Sequence, residues 1–152
     1  MSFVTPSEDE LRARLTPEEY RIMREQGIED PYTGDFLNEG PAGTYLCKLC
    51  AQPLFESTAK FNQLTGWPSF DRPIDGAVEE YATKWMEKPS IGVKCANCKS
   101  YVGRIAERGP TETNRSYYIY SVALTFDPTK IPAPREKPVP DSEITTADIP
   151  TA

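Results

Sequence analysis

The chain has 152 residues and a formal net charge of −6, a balance that excludes nonspecific affinity for nucleic-acid phosphates or anionic lipid. Its length allows one domain, and fifteen prolines against nine glycines point to many turns, little long helix and a mainly β fold. Histidine is absent, which removes the side chain that most often serves as acid or base near neutral pH and the usual nitrogen ligand for metals.

No apolar run approaches the roughly 18 residues needed to cross a bilayer. The opening "MSFVTPSEDELRARL" lacks the basic start and apolar middle of a secretory signal. An intracellular chain is expected, in the cytosol or in an organelle such as the mitochondrion. Residues 1–15 form an N-terminal extension, in which Ser7 followed by Glu10 reads as a capping box for one short helix. A second helix follows in "LTPEEYRIMREQG", with Thr16 as N-cap, Pro17 at the first helical position, Glu19 as the reciprocal cap and Gly27 as the stop. Tyr20, Ile22 and Met23 are placed to pack this helix on the body.

From Tyr32 onward the text changes to short β-branched and aromatic runs punctuated by glycine and proline. Strands are expected at Thr44–Leu46, Leu54–Glu56, Val78–Lys84, Ile91–Lys94, Tyr101–Ile105 and Ser116–Phe126, in a compact antiparallel domain spanning 16–127. The segment 128–152 is a proline-rich tail with little that could build a core. It is expected to be extended and to lie along another protein.

All four cysteines fall in two pairs of one spacing, Cys47-Lys48-Leu49-Cys50 and Cys95-Ala96-Asn97-Cys98. Two such knuckles supply the four thiolates that tetrahedral Zn²⁺ prefers, so Cys47, Cys50, Cys95 and Cys98 are the expected ligands of one structural zinc ion. Four protein sulfurs leave no open position for a substrate. Two structural disulfides would need a secreted setting that nothing here marks, and a thioredoxin-like site would want one pair opening a helix. The knuckles are expected at the ends of neighbouring hairpins in one larger sheet.

Around the knuckles, "LTPEEYRIMREQGIEDPYTGDFLNEGPAGTYLCKLCAQPLFESTAKFNQLTGWPSF", "VKCANCKSYVGRIAERGP" and "SYYIYSVALTF" resemble the B-type methionine sulfoxide reductases, which reduce the R epimer of methionine S-oxide. The resemblance covers about residues 15–127 and implies two antiparallel sheets in a tent-like barrel, clamped by a four-cysteine zinc. It also implies a nucleophilic cysteine in the last strand, and that position is Tyr118, flanked by Ser116 and Tyr120 where the family has arginine and asparagine. Tyr101 and Arg104 stand where the family has two histidines, Ala106 where it has a phenylalanine, and Thr65 where it often has a resolving cysteine. A phenol with a pKa near 10 cannot replace a thiolate that attacks sulfur and becomes a sulfenic acid.

The expectation is therefore no catalytic residue and no enzyme activity: a pseudoenzyme acting as a zinc-stabilised structural or interaction subunit of a larger assembly. Its protein partners would meet the C-terminal tail and a tyrosine-rich face made by Tyr117, Tyr118 and Tyr120. Two alternatives stay open: a module binding oxidised methionine in a pocket beside Trp67, and an active peptide-methionine (R)-S-oxide reductase that uses an unforeseen thiol. Arg104 is a lesser candidate for binding an anion or sitting against tyrosine faces.

Overall fold

The computed structural model describes residues 7–25, 27, 36, 41–61, 66–85, 87–107, 111, 113 and 115–132. The described residues open with two helices, α1 (Glu8–Arg14) and α2 (Pro17–Glu25), each set by its own local chemistry. At α1, the Ser7 side chain accepts a hydrogen bond from the Glu10 amide, with acidic residues in the first turn and arginines in the last. At α2 the box is reciprocal: the Glu19 amide donates to Thr16 Oγ1 at 3.1 Å, and the Thr16 amide donates to Glu19 Oε1 at 2.9 Å. The Gly27 amide reaches the Arg21 carbonyl at 2.8 Å beyond the last turn.

Among the described residues nine strands follow: β1 (Thr44–Cys47), β2 (Pro53–Glu56), β3 (Lys60–Phe61), β4 (Ser69–Phe70), β5 (Val78–Trp85), β6 (Lys88–Cys95), β7 (Tyr101–Ala106), β8 (Ser116–Ile119) and β9 (Leu124–Asp127). They form two antiparallel sheets, one of three strands in the order β2-β1-β9 and one of six in the order β3-β4-β8-β7-β6-β5. The fold is mainly β, with two short helices, as the sequence implies. The expected single strand Ser116–Phe126 is in fact two. A 3-10 turn at Ser121–Ala123 breaks it, so that β8 lies inside the six-stranded sheet and β9 crosses to the other.

That break places β8 between two cores. Tyr117 and Ile119 face the main core of Leu54, Phe55, Phe70 and Val102, while Tyr118 and Tyr120 face a second cluster with Ile22, Trp67 and Tyr101. All four β8 residues are buried, Ser116 included, because the strand lies inside the six-stranded sheet with packing on both faces. The main core is held by an aromatic ladder in which Phe55 stacks on Phe70 at 4.4 Å, and Tyr45 meets Phe70 at 5.2 Å and Phe126 at 4.9 Å. In β7 one extra residue, Val102, opposes the Val93–Lys94 step of β6, and this bulge keeps Tyr101 on the second cluster's side while Ile105 turns to the main core.

The segment 1–15 contains a helix whose Leu11 is fully buried in the main core. Residues 1–6 and the greater part of the tail, 133–152, lie outside the described residues, as do Thr65 and Met86. Among the described residues no helix is long and apolar enough to cross a membrane.

Candidate thiol and metal centre

Each cysteine pair sits where a strand runs into a turn. Cys47 ends β1 and Cys50 closes the turn before β2, while Cys95 ends β6 and Cys98 closes the turn before β7. The two turns are built alike. In the first, the Ala51 amide bonds to the Cys47 carbonyl at 2.8 Å and the Cys47 amide to the Gln52 carbonyl at 2.9 Å; in the second, Lys99 bonds to Cys95 at 2.9 Å and Cys95 to Ser100 at 2.8 Å. Ala51 and Lys99, each following a second cysteine, adopt left-handed backbone with φ of 63° and 64°. For a residue with a Cβ that conformation costs roughly 1 kcal/mol or more, so the surroundings must enforce it.

The knuckles belong to different sheets, correcting the expectation of neighbouring hairpins in one sheet. The first comes from the β1–β2 hairpin of the three-stranded sheet and the second from the β6–β7 hairpin of the six-stranded one. Gln52 Nε2 and the Ala96 amide both donate to the Ala77 carbonyl, at 2.8 and 2.9 Å, which ties the two turns side by side. All four sulfurs consequently lie within 4.8 Å of one another, with Cys47 to Cys98 and Cys50 to Cys95 both at 3.6 Å. Sulfurs on a tetrahedron with 2.3 Å metal–sulfur bonds stand about 3.8 Å apart, so the cluster can hold a metal ion.

Burial differs among the four. Cys47, Cys95 and Cys98 are buried, whereas Cys50 is only half-buried. A hydrogen bond from Cys47 lowers the pKa of Cys50 to about 6, and bonds from Cys47 and Cys95 hold Cys98 well below the ordinary thiol value. Cys47, the donor to its neighbours and buried, is pushed up. Hydrogen bonds within the cluster thus favour the thiolate form at Cys50 and Cys98.

The second feature of interest is the tyrosine cluster. Tyr118 stacks on Trp67 with ring centroids 5.7 Å apart, Tyr120 meets Trp67 edge-on at 5.8 Å, and the Tyr101 and Tyr120 hydroxyls are 3.0 Å apart. Trp67, Tyr118 and Tyr120 are 2, 3 and 0% exposed, so the space beside Trp67 is filled by protein. Burial pushes the Tyr118 phenol up, and the same cause raises Tyr120 to about 12. The expected tyrosine-rich face for a partner is therefore corrected: Tyr117, Tyr118 and Tyr120 point into the domain. Among the described residues there is also no open pocket beside Trp67 of the kind a binder of oxidised methionine would need. Arg104, 3% exposed, donates to Ser90 Oγ at 2.9 Å and lies 5.5 Å from the centre of the Tyr101 ring, which meets the expectation of an arginine against tyrosine faces.

The SelR domain family matches residues 15–128, both knuckles and the tyrosine cluster included. A protein of Chromohalobacter salexigens named peptide methionine sulfoxide reductase MsrB is 43% identical over 127 residues, covering 82% of this chain and 96% of the relative. The chain belongs to the B-type peptide-methionine (R)-S-oxide reductase family. An MsrB of Saccharophagus degradans is 41% identical over 126 residues, with 82% of this chain and 94% of that protein aligned. A chloroplastic peptide methionine sulfoxide reductase B1 of Arabidopsis thaliana is 39% identical over 126 residues, covering 82% of this chain and 62% of that one.

These relatives overturn the expectation of an inactive pseudoenzyme with a structural role. Proteins about 40% identical over four-fifths of the chain carry the name of a reductase, and nothing in the described residues shows activity to be lost. The expectation rested on the family positions held by Tyr118, Tyr101, Arg104 and Thr65 and on the proline-rich tail, and it assigned every thiol to metal alone. Four thiols within 4.8 Å are equally a store of reducing equivalents. The contacts of the helices with the knuckles were missed as well: Arg14 donates to the Leu49 carbonyl at 3.4 Å, Lys48 pairs with Glu19 at 3.5 Å, and Arg24 donates to Ser100 Oγ at 3.2 Å. They join residues up to 76 positions apart, and no local pattern signals them.

Proposed function

We propose that this protein reduces peptide methionine (R)-sulfoxide, using the thiols of its cysteine cluster. The observation that carries the reading is the four-sulfur cluster within a chain of this family. Cys50 is the thiol that solvent reaches, and Cys95 stands 3.6 Å from it. In the proposed reaction the Cys50 thiolate attacks the sulfoxide sulfur. The oxygen passes to Cys50 as a sulfenic acid, a proton is taken from solvent, and the thioether leaves, reduced by two electrons. The Cys95 thiol then attacks the Cys50 sulfur, the S–O bond breaks, water departs, and a disulfide holds the two electrons' worth of oxidation. An external dithiol restores the pair. With no histidine in the chain, the hydrogen bond from Cys47 is what favours the Cys50 thiolate.

The same four residues, Cys47, Cys50, Cys95 and Cys98, would hold one Zn²⁺, whose chemistry is to keep all four sulfurs as thiolates and to clamp the two sheets together. The two uses exclude one another at a given moment, so the metal-loaded form is the resting state and the metal-free, reduced form the working one. A reducing compartment inside the cell, cytosol or organelle, keeps the thiols available for either.

The test is turnover of a peptide methionine (R)-sulfoxide with dithiothreitol, followed by loss of sulfoxide, on wild-type protein before and after chelation and on Cys50→Ser. The reading expects turnover above buffer that rises on chelation and is lost in Cys50→Ser. Absence of turnover in every form, or turnover indifferent to Cys50, overturns it.

A further inference from the structure

Strand β5 lies at one end of the six-stranded sheet, and among the described residues no strand pairs with its second side. It is eight residues long and stays in register with β6 from Val78↔Cys95 to Trp85↔Lys88, which leaves only positions 86 and 87 for the turn. β6 pairs with β7 from Ile91 onward, so beyond Ala82 the hairpin runs on as a two-stranded ribbon. Which residues face the open edge follows from the ladder. A two-residue hairpin loop closes on a pair that exchanges both backbone hydrogen bonds, here Trp85 and Lys88, and alternation then assigns the bonds to β6 to Glu79, Tyr81, Thr83 and Trp85. Two observations agree with that assignment. The next residue of the same parity, Ala77, accepts from the Ala96 amide at 2.9 Å, and Pro89, which has no N–H, stands opposite Lys84, where no ladder bond is needed.

Glu80, Ala82 and Lys84 therefore aim their amides and carbonyls outward, and their side chains share one face and are exposed. Such an edge is a template for another strand unless its side chains forbid the pairing. Here they select a second copy of the same chain. Two β5 strands meeting antiparallel about a two-fold axis must set outward-facing residues opposite one another. With the axis on Ala82, Glu80 of each copy stands opposite Lys84 of the other. An axis on Glu80 or on Lys84 would oppose like charges, and one on Tyr81 or Thr83 would set Glu80 or Lys84 against Ala82, with no charge to meet. Glu80 is already held in place on this face, since Arg115 Nη1 lies 2.7 Å from both carboxylate oxygens and the Tyr117 hydroxyl donates at 3.3 Å. A carboxylate has about four acceptor sites, so room for an ammonium remains.

We infer that β5 is a homodimer interface, in which two copies of the chain pair edge to edge about Ala82 and join their six-stranded sheets into one. The small Ala82 side chain suits the axis, where the two backbones exchange a pair of hydrogen bonds, and the two Glu80–Lys84 contacts flank it and fix the register. An interface of one strand per copy is small, so the dimer is a weak one that forms in proportion to concentration. The inference stands on the sheet edge alone and is independent of the thiol chemistry proposed above.

The experiment is sedimentation equilibrium of the full chain from about 1 μM to about 1 mM, with reductant throughout so that no dimer arises from the cysteines. The wild type should rise from the monomer mass towards the dimer mass across that range. Lys84→Glu and Glu80→Lys each turn two opposite-charge contacts into like-charge ones, and each should weaken association by about tenfold. An equimolar mixture of the two variants should associate as the wild type does, because both glutamates of one then meet both lysines of the other. Ala82→Pro removes an outward N–H and no bond to β6, so it should keep the wild-type circular dichroism and stay monomeric. A wild-type chain that is monomeric at every concentration would overturn the interface. So would association that neither charge variant weakens, a mixture no better associated than its components, or a wild-type dimer in Ala82→Pro. Loss of the wild-type dichroism in Ala82→Pro would contradict the outward assignment of the Ala82 amide and overturn the register built on it.

Discussion

Raising the pH tests the burial of the tyrosines, because four of them sit where an ionised phenol has no water. Burial raises Tyr45 and Tyr120 from the ordinary 10.0 to about 12, and it also pushes Tyr101 and Tyr118 up. In the unfolded chain the same phenols ionise near pH 10. Above that pH the unfolded state binds fewer protons than the native one, so stability is fully present below about pH 10 and falls as pH climbs towards the folded values. At 1.36 kcal/mol per unit, the shifts of Tyr45 and Tyr120 are worth on the order of 3 kcal/mol each, or about 5 kcal/mol together. A domain of this size has a total stability of about 5–15 kcal/mol, and Tyr101 and Tyr118 act in the same direction. The chain should therefore unfold cooperatively before about pH 12. Tyrosinate absorbance and far-ultraviolet circular dichroism, recorded together across the alkaline range, should change in one coincident step. Tyr118→Phe keeps the ring on Trp67 and removes one ionising group, so it should move that step to higher pH. Phenols that titrate reversibly near pH 10 with no change in dichroism would refute the reasoning.

Three further substitutions separate backbone from side-chain crowding and test the cap of α2. A Cβ at Gly103 would stand 2.4 Å from the Tyr118 carbonyl oxygen and 2.9 Å from the Ile119 Cα, atoms of the paired strand that have little room to move. At Gly92 the clash is with the end of the Tyr81 ring, which can swing away. Gly103→Ala should cost about 1–3 kcal/mol and Gly92→Ala less, as read by denaturant unfolding, and equal costs would contradict the β7–β8 register. Thr16→Ala breaks the reciprocal cap of α2 and should cost about 1 kcal/mol, whereas no change in the unfolding midpoint would show that the cap contributes nothing.

Local chemistry made much of the molecule legible from its residues. The capping box at Thr16 and Glu19 and the paired cysteine turns depend on neighbours within a few positions, and they stand where the spacing implies. β3 and β4 are two residues each, too short to carry a periodic pattern, and they exist because Phe70 and Ser69 pair with Tyr117 and Tyr118 of a distant segment. The run "SYYIYSVALTF" reads as one strand because β-branched and aromatic residues dominate it. Its division at Ser121–Ala123 is imposed by the need for β9 to reach β1 in the other sheet. Burial of the three tyrosines was the hardest feature to read, since alternation on two packed faces looks the same as crowding on one. The cysteines were placed correctly as a cluster, but reading their role as metal ligands alone closed off the chemistry that family membership supports.

The most direct measurement is a single-turnover reaction of the reduced, metal-free protein with a peptide methionine (R)-sulfoxide, without added reductant, followed by mass-spectrometric mapping of the cysteines. The account predicts one thioether formed for each disulfide, with Cys50 joined to Cys95. Four thiols that remain free and an unreduced sulfoxide would contradict it.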